Sequence, residues 1–423
     1  MVGLDRYIIN RNSYDDLTSF FLLSRPETKQ ETSERETLSY REKKKRKHLS
    51  YLLHGYEIEN MKVLDNTKKP PETRLNDLKV KERIPRKVKT KPERVLEAPN
   101  IVNDYYTFTI DWGYHNTLAV ALENCVYTWN TERNKTTLIA EYPNIDNRYV
   151  SCVSWKPNTE FLAVTNTSPD RIDILAEPYY VIQTLRTNLN HQMISMSWND
   201  NLLSCGSIDG DILHFDIRSS CGKPCAKTQE EDTVCGLAWS PNLTYLASGS
   251  NNTVKVWDFR KLESSCPVTK NNCHTSAVKA ITWCPWEPTL LASGGGKEDR
   301  NLIVWNSMNG KEKMRVDTES QITSIVWSEQ YRELLTSHGS PDHSLKLWKY
   351  PTLDLFEELT LHHQRIISAV RSPDHTSVAA VSADETISIW NCFPRDKRKK
   401  EATRKSVKQE RGSLEFAFYN TIR

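Results

Sequence analysis

The sequence predicts an all-β fold, a seven-bladed β-propeller, and three observations support this. From about residue 101, short runs of alternating or β-branched apolar residues are separated by Asn, Asp, Gly and Ser, as in closely spaced strands. One class of apolar run recurs at intervals of 46, 40, 42, 48, 43 and 42 residues, at Trp129, Leu175, Phe215, Trp257, Trp305, Trp348 and Trp390. A second apolar run lies about 15–25 residues before each of these and ends at Trp112, Trp155, Trp198, Trp239, Trp283, Trp327 and Arg371. A period of about 40–45 residues with four strands per unit is typical of WD-repeat propellers.

The seven units follow the repeat imperfectly. Only Trp257-Asp258 is a literal Trp-Asp pair, and Leu175 and Phe215 stand where tryptophan is expected. We expect the tryptophans to be structural, because repeat units bury their faces on their neighbours. The same role is predicted for two repeat aspartates, Asp209 and Asp384.

A propeller must also close its ring, usually by lending a strand from one terminus to the blade that the other terminus builds. Residues 103–109 read NDYYTFT, a strand-like pattern, and they precede the first blade. They are the predicted closing strand, and the propeller is predicted to span residues 101–393.

Charge is distributed unevenly along the chain. Residues 1–100 carry a net charge of +7, residues 101–393 carry −10, and residues 394–423 carry +6. The first segment is poor in aromatic residues, so we expect a largely disordered basic arm with short helical stretches near 14–24 and 39–60. Residues 394–423 are predicted to form a short basic tail. The basic run KKKRK at 43–47 fits either a nuclear import signal or solvated charge, and we expect the protein in nucleus and cytoplasm.

Composition excludes several classes of protein. The 423 residues have a mean hydropathy of −0.63, and no apolar run reaches the ~18–20 residues that span a bilayer. The first six residues carry charge where a signal peptide needs an apolar stretch. Ten scattered cysteines are too few for a disulfide scaffold. We therefore expect neither a membrane protein nor a secreted one.

No catalytic constellation stands out in the sequence. Cys221 and Cys225 have the wrong spacing for zinc and lack a second pair, and the glycines at 294–296 read as a turn between strands rather than a phosphate loop. His362 and His363 fall where WD repeats place a structural histidine. We therefore predict a binding protein that is not an enzyme and needs no cofactor or metal.

Residues 83–129 begin RIPRKV and continue through VLEAP, NDYY and IDW. With VCGLAW at 234–239, AVKAITWCPWEPTLLASGGG at 277–296 and SADETISIW at 382–390, they are similar to the Fizzy and Fizzy-related proteins. These are WD-repeat activators of the anaphase-promoting complex, a ubiquitin ligase. The resemblance spans at least 83–392, and it implies a divergent, non-catalytic activator and substrate adapter.

Two terminal motifs resemble the segments by which this family docks on the ligase. Residues 5–11 are similar to its C-box, and the last residues to its terminal Ile-Arg tail; the matching positions are Asp5, Arg6, Tyr7, Ile8, Ile9, Arg11, Ile422 and Arg423. Two weak contacts on flexible arms reinforce one another, because the first raises the effective concentration of the second. Ile9 replaces the family's proline, so ordering this arm costs more entropy.

The resemblance also implies two sites for degrons, the short peptide signals that mark substrates. A destruction-box site would use Leu96 and Val120 for a leucine, and Glu97 and Glu385 for an arginine. A KEN-box site would use six residues: Tyr105, Tyr127, Asn251, Asn252, Gln321 and Arg365. Glu97 replaces the usual aspartate, and Lys297 stands where threonine is usual, which adds a cation beside a pocket that reads lysine. Leu96 and Val120 fit a core role equally well, whereas Gln321, Arg365 and Glu385 are expected at the rim of the blades.

The implied partners are subunits of the anaphase-promoting complex and degron-bearing substrates such as cyclins. Residues 62–64 resemble the Fizzy motif for a spindle-checkpoint protein, whereas 52–58 resemble a Fizzy-related segment, so the branch stays open. No membrane contact or direct nucleic-acid binding is expected. Residues 1–100 lack Ser-Pro and Thr-Pro, the minimal sites of cyclin-dependent kinases, which suits a meiosis- or germline-specialised member. The alternative is a WD-repeat scaffold that has lost ligase activation and serves another protein or RNA-associated assembly.

Overall fold

The computed structural model describes residues 88–144, 148–165, 168–260 and 267–394. Within these ranges, 28 strands form seven four-stranded antiparallel sheets, so the predicted seven-bladed propeller is confirmed. The predicted docking residues at 5–11 and 422–423 lie outside the described residues, as do the predicted helical stretches.

The strands follow the chain in order, except that the first strand, β1 (Arg94–Glu97), belongs to the last blade. Blade 1 contains β2 (Ile110–Trp112), β3 (Thr117–Leu122), β4 (Cys125–Asn130) and β5 (Lys135–Glu141). Blade 2 contains β6 (Val153–Trp155), β7 (Leu162–Thr165), β8 (Arg171–Ala176) and β9 (Tyr180–Arg186). Blade 3 contains β10 (Met193–Asn199), β11 (Leu202–Ser207), β12 (Asp211–Asp216) and β13 (Ala226–Gln229).

The remaining blades repeat this order. Blade 4 contains β14 (Gly236–Trp239), β15 (Tyr245–Gly249), β16 (Val254–Asp258) and β17 (Thr269–Asn271). Blade 5 contains β18 (Ala280–Trp283), β19 (Leu290–Gly294), β20 (Asn301–Asn306) and β21 (Glu312–Asp317). Blade 6 contains β22 (Ile322–Ser328), β23 (Glu333–His338), β24 (Ser344–Lys349) and β25 (Asp354–Thr360). Blade 7 contains β26 (Ile366–Arg371), β27 (Val378–Ser382), β28 (Thr386–Trp390) and β1.

The sequence period is the blade repeat. The seven residues that set it, from Trp129 to Trp390, each lie in the third strand of a blade and are only 0–6 % exposed. The residues that end the earlier apolar runs, from Trp112 to Arg371, each lie in the first strand. The pattern repeats because every blade buries the same strands between its two neighbours.

A chain of side-chain hydrogen bonds ties these indoles to the blade links. In blade 5, Trp305 Nε1 donates to Ser293 Oγ at 3.2 Å, and this oxygen lies 2.7 Å from Nε2 of His274, whose Nδ1 contacts Asp299. Blade 7 repeats the chain with Trp390, Ser388, His362 and Asp384. His362 and Asp384 are therefore structural, as predicted.

Blades 3 and 4 vary this arrangement. In blade 4 the indole of Trp257 reaches, through a serine hydroxyl, a buried ion pair in which Lys255 Nζ lies 2.7 Å from Glu230. In blade 3 the repeat aspartate, Asp209, pairs at 2.7 Å with His191 at the surface. In blade 4 this ion pair takes the place of the histidine–aspartate contact that blades 5 and 7 have near the serine hydroxyl, whereas blade 3 has its histidine–aspartate pair at the surface.

The ring closes through a different segment from the one predicted. Strand β1 pairs antiparallel with β28, with Arg94 opposite Ile389 and Glu97 opposite Thr386. The prediction that 103–109 is the closing strand is wrong, and the last blade takes its outer strand from before residue 101. Residues 103–109 lie in the link between β1 and β2, where Tyr105, Thr107 and Thr109 are buried. Their period of two imitates a strand, because every second side chain in this link is buried.

The two ends of the ring are built from different connections. Strand direction reverses within every blade, so the turn between the second and third strands lies at the same end as the link to the next blade. We call this end the link face. The turns between the first and second strands, and between the third and fourth, form the opposite end, which we call the turn face.

Candidate functional site

Two exposed carboxylates meet on the link face, at the seam of blades 7 and 1. Glu97 is the last residue of β1 and lies opposite Thr386, the residue after Glu385. The carbonyl of Glu385 accepts a hydrogen bond from Ala98 N at 2.8 Å, and its Oε1 lies 3.4 Å from Asn100 N. The structure therefore brings together Glu97 and Glu385, 288 positions apart in the chain. Both face solvent, and together they attract a cation.

An apolar cluster underlies this seam. Leu96, half-buried, and Val120, 6 % exposed, belong to the cluster that joins blade 7 to blade 1 through Ile387 and Ile389. Val120 is thus part of the core, whereas Leu96 keeps some accessible surface. The cluster offers a partly open apolar contact beside the two carboxylates.

Tyr127, assigned to the KEN-box site, lies in blade 1. It sits in β4 directly opposite Val120 of β3, and residues opposite one another in a ladder share a face of the sheet. Tyr127 therefore belongs with Val120 near the seam, not with Tyr105 in the centre of the ring.

The other residues assigned to the KEN-box site lie at blade connections of the link face. Asn251 and Asn252 are exposed in the β15–β16 turn, and Arg365 lies in the link that precedes β26. Lys297 is exposed in the β19–β20 turn. Gln321 lies in the connection directly before β22 and is only 8 % exposed, so little of its side chain faces solvent.

Tyr105 lies at the centre of the ring rather than on a blade. Its hydroxyl lies 3.1 Å from the carbonyl oxygen of Ile322 and 3.4 Å from that of Ala277, which belong to the approaches to blades 6 and 5. Burial, with smaller effects of Cys235 and Tyr106, raises the pKa of Tyr105 far above its ordinary value. The phenol therefore stays protonated and serves as a donor that ties this segment to the link face.

The link from β1 to β2 is anchored around the ring. The guanidinium of Arg365 contacts both the side chain and the carbonyl of Asn103. The hydroxyl of Tyr149 donates to Asp104 Oδ2 at 2.6 Å. We call residues 103–109 the channel segment, because contacts with the approaches to blades 2, 5, 6 and 7 hold it in the centre of the ring.

Lys279 is a central residue that the sequence reasoning missed. It is 1 % exposed, and its Nζ donates to the carbonyls of Thr107 and Ile367 at 2.7 Å each. The same atom lies 4.7 Å from the ring centre of Phe108 and 5.5 Å from that of Tyr105, which is within cation–π range. Burial lowers the pKa of Lys279 to about 7, against the opposing effect of Asp104. The one signal in the sequence was a lone lysine inside the apolar run AVKAITW.

The chemistry of the link face is that of a binding surface. It presents a carboxylate pair beside a half-buried leucine, and a separate polar region with the guanidinium of Arg365. Among the described residues, no group of three or more His, Cys, Asp or Glu side chains is placed to hold a metal ion. Within the same ranges, no helix is long and apolar enough to cross a membrane.

Similar proteins are known. Residues 96–390 match the family described as the CDC20/Fizzy WD40 domain. The chain is 37 % identical over 331 residues to "Anaphase-promoting complex subunit cdc20" of Dictyostelium discoideum, covering 78 % of this chain and 66 % of that protein. It is 38 % identical over 342 residues to "Cell division cycle 20.1, cofactor of APC complex" of Arabidopsis thaliana, covering 78 % of this chain and 72 % of that protein.

A solved structure also resembles this fold. It is a chain of "Crystal Structure of Mitotic Checkpoint Complex", with a TM-score of 0.69 and 36 % identity, covering 73 % of this chain and 98 % of that one. The present chain spans about two thirds of the length of the first relative named above. The region that matches the family spans residues 96–390, which is the propeller with its link face.

Proposed function

The chain belongs to the CDC20/Fizzy family of WD40 proteins, and we therefore propose that it activates the anaphase-promoting complex and presents substrates to it. The observation that carries this proposal is the family match over residues 96–390, the range that builds the propeller. Relatives named as a subunit or cofactor of that complex support it. In this role the protein is an adapter without catalytic activity of its own.

The seam of blades 7 and 1 is the proposed destruction-box site. Glu97 and Glu385 would pair with the arginine of the degron, since a guanidinium forks onto carboxylates. Leu96, half-buried beside them, would contact the degron leucine, with Val120 as the apolar floor. Tyr127 joins this set through its register with Val120.

The proposed KEN-box site lies on the link face nearer the centre of the ring. Arg365 provides a cation for the glutamate of that degron, and Asn251 and Asn252 provide amides for its polar groups. Tyr105 and Gln321 are buried, so we assign them a supporting role beneath this surface. Lys297 faces the same side of the ring and opposes the degron lysine.

The proposed partners are subunits of the anaphase-promoting complex, degron-bearing substrates such as cyclins, and a spindle-checkpoint protein. The similarity to a chain of a mitotic checkpoint complex supports the last of these. Docking would use residues 5–11 and 422–423, outside the described residues. We propose that the protein acts in both nucleus and cytoplasm.

Co-precipitation from dividing cells tests the proposal. Full-length protein is expected to recover ligase subunits, and deletion of residues 1–11 or 421–423 is expected to reduce recovery. Arg423→Ala is a milder variant that leaves the chain length unchanged. Recovery that is unaffected by all three changes, or a set of partners without ligase subunits, would favour a scaffold of another assembly.

A further inference from the structure

A cleft opens on the turn face, at the opposite end of the ring from the proposed degron sites. It measures about 620 Å³ and lies where the turns of blades 7, 1 and 2 converge. Blade 1 contributes residues 113–117, Asn130, Glu132 and Arg133, blade 2 contributes Trp155, Thr159, Glu160, Glu177 and Tyr179, and blade 7 contributes Pro373 and Asp374.

The cleft is acidic. Its lining includes the carboxylates of Glu132, Glu160, Glu177 and Asp374, against the single guanidinium of Arg133. His115 also lines it and lies 3.2 Å from Glu160. Burial raises the pKa of Tyr179, and the charges of Glu177 and Glu160 add to that effect, so both glutamates act on this cleft wall. A basic ligand would relieve the repulsion among these carboxylates.

The indole of Trp155 forms part of the cleft wall and is 9 % exposed. The ring lies directly against Gly113, where an added Cβ would come within 2.8 Å of it. Its N–H is closed to solvent, so the carboxylates of the lining are the groups that a ligand meets. These carboxylates fit a basic peptide.

The chain itself supplies such a peptide beside blade 7, one of the three blades that build the cleft. Phe393 N donates to Thr376 O at 2.8 Å, and the hydroxyl of Tyr331 contacts Pro394 O, so the chain leaves the last blade on the turn face. Thr376 is two residues from Asp374, a separation of at most ~7 Å along the backbone. The next residues, 395–400, read RDKRKK, with five cations and one anion.

We propose that the basic segment 395–400 docks in the acidic cleft of its own propeller. Tethering at Pro394 holds the segment at a high effective concentration beside the cleft, so weak ion pairs suffice to seat it. The docked segment would set the direction in which the remaining 23 residues leave the ring. The contact lies on the opposite face from the degron sites and does not depend on the proposed function.

Photo-cross-linking in the full-length protein tests the proposal. A benzophenone amino acid at position 114 replaces Tyr114, a cleft residue that is 56 % exposed. On irradiation it is expected to cross-link within the same molecule to residues 395–405, as mapped by mass spectrometry, with a yield independent of protein concentration. The matched control carries the probe at Tyr180, 58 % exposed on the outer strand of blade 2, and is expected not to cross-link there.

Charge variants then test the cause. Changing Glu132, Glu160 and Glu177 together to glutamine is expected to lower the cross-link yield about tenfold, because three screened ion pairs amount to roughly one decade in an equilibrium constant. The same change at three exposed glutamates elsewhere, Glu141, Glu298 and Glu319, is expected to leave the yield unchanged. Cross-links to another segment or a second molecule, no cross-link, or equal yields in the two triple variants would overturn the proposal.

Discussion

The Nζ of Lys279 lies 2.7 Å from the carbonyl oxygen of Thr107, 172 positions earlier in the chain. A second bond of the same length joins it to Ile367 in blade 7. One buried lysine therefore fastens the channel segment to two distant blades. Only five residues separate the closing strand β1 from the channel segment. The hydrogen bonds of Lys279 to this segment therefore also stabilise the closure of the ring.

Replacing Lys279 with methionine is therefore expected to destabilise the propeller by about 2–4 kcal/mol, since two buried carbonyls lose their donor. Methionine keeps most of the stem volume, so the loss reports the hydrogen bonds more than packing. Urea unfolding followed by tryptophan fluorescence measures the effect. Lys297→Met, at an exposed position, is the control and is expected to change stability by less than ~0.5 kcal/mol. Equal stabilities of the two variants would show that Lys279 does not brace the ring.

The number of blades could be predicted because burial of the third strand repeats locally, from Trp129 to Trp390. Ring closure could not be predicted so easily, because it depends on pairing between β1 and β28 at opposite ends of the propeller. The sequence RVLE of β1 is short and largely exposed, so it carries little signal. The channel segment carries a stronger strand pattern and is not a strand.

The candidate site was predictable in part for the same reason. Turn positions such as Glu385 and Asn251 follow from the repeat, which places them on one face. Register does not follow from it, so the repeat alone does not place Tyr127 opposite Val120 on one face of blade 1. In the sequence, Lys279 only interrupts an apolar run. Its partners are the backbone carbonyls of Thr107 and Ile367, and a sequence motif cannot reveal a hydrogen bond to distant backbone groups.

The charge of Glu385 is expected to determine destruction-box binding. Glu385→Lys should abolish binding of a destruction-box peptide, because an attractive rim charge becomes repulsive beside Glu97. Glu385→Gln should weaken binding less. Fluorescence anisotropy of a labelled peptide measures both, with Glu298→Lys as a control on another turn of the link face. The assignment would be wrong if the peptide bound both Glu385 variants as tightly as the unmodified protein.

Lys297 is expected to weaken KEN-box binding. Its ammonium lies on the same face as the residues assigned to that site, and like charges repel across a few ångströms even when screened. KEN-box affinity should therefore be lower than destruction-box affinity, and Lys297→Thr should raise it by a few-fold. Titration with both peptides distinguishes a local effect of Lys297 on the KEN-box site from a general change in the propeller. Only a local effect leaves the destruction-box affinity of Lys297→Thr unchanged. An unchanged KEN-box affinity in Lys297→Thr would contradict the prediction.

Stability is expected to fall in acid because of two buried histidines. Burial lowers the pKa of His214 to about 4, and burial together with Lys346 lowers that of His338 to about 3. Below about pH 6.5 the unfolded chain binds protons that the folded protein does not, so stability drops by up to ~1.4 kcal/mol per pH unit for each histidine. Above that pH the effect disappears. Urea midpoints between about pH 7 and about pH 4.5 measure the slope, which should be shallower in His214→Gln. An identical slope would mean that His214 does not titrate as described.

Cyclin-dependent kinase is expected not to inhibit ligase binding. Residues 1–100 contain no Ser-Pro or Thr-Pro, so no phosphate can be added at such a site near residues 5–11, where its charge would oppose docking. In the propeller, the Ser-Pro serines Ser240 and Ser372 are buried, and their hydroxyls donate to Asn242 and Asp374 at 2.6 Å. Of the other two Ser-Pro serines, Ser168 is half-buried and contacts Asp170, whereas Ser340, in the β23–β24 connection, is exposed. The double variant Ser168→Ala/Ser340→Ala serves as the control that removes both sites. After incubation with active kinase and ATP, ligase recovery should match that of the untreated protein. A large loss of recovery that maps to phosphates within residues 1–100 would contradict the prediction.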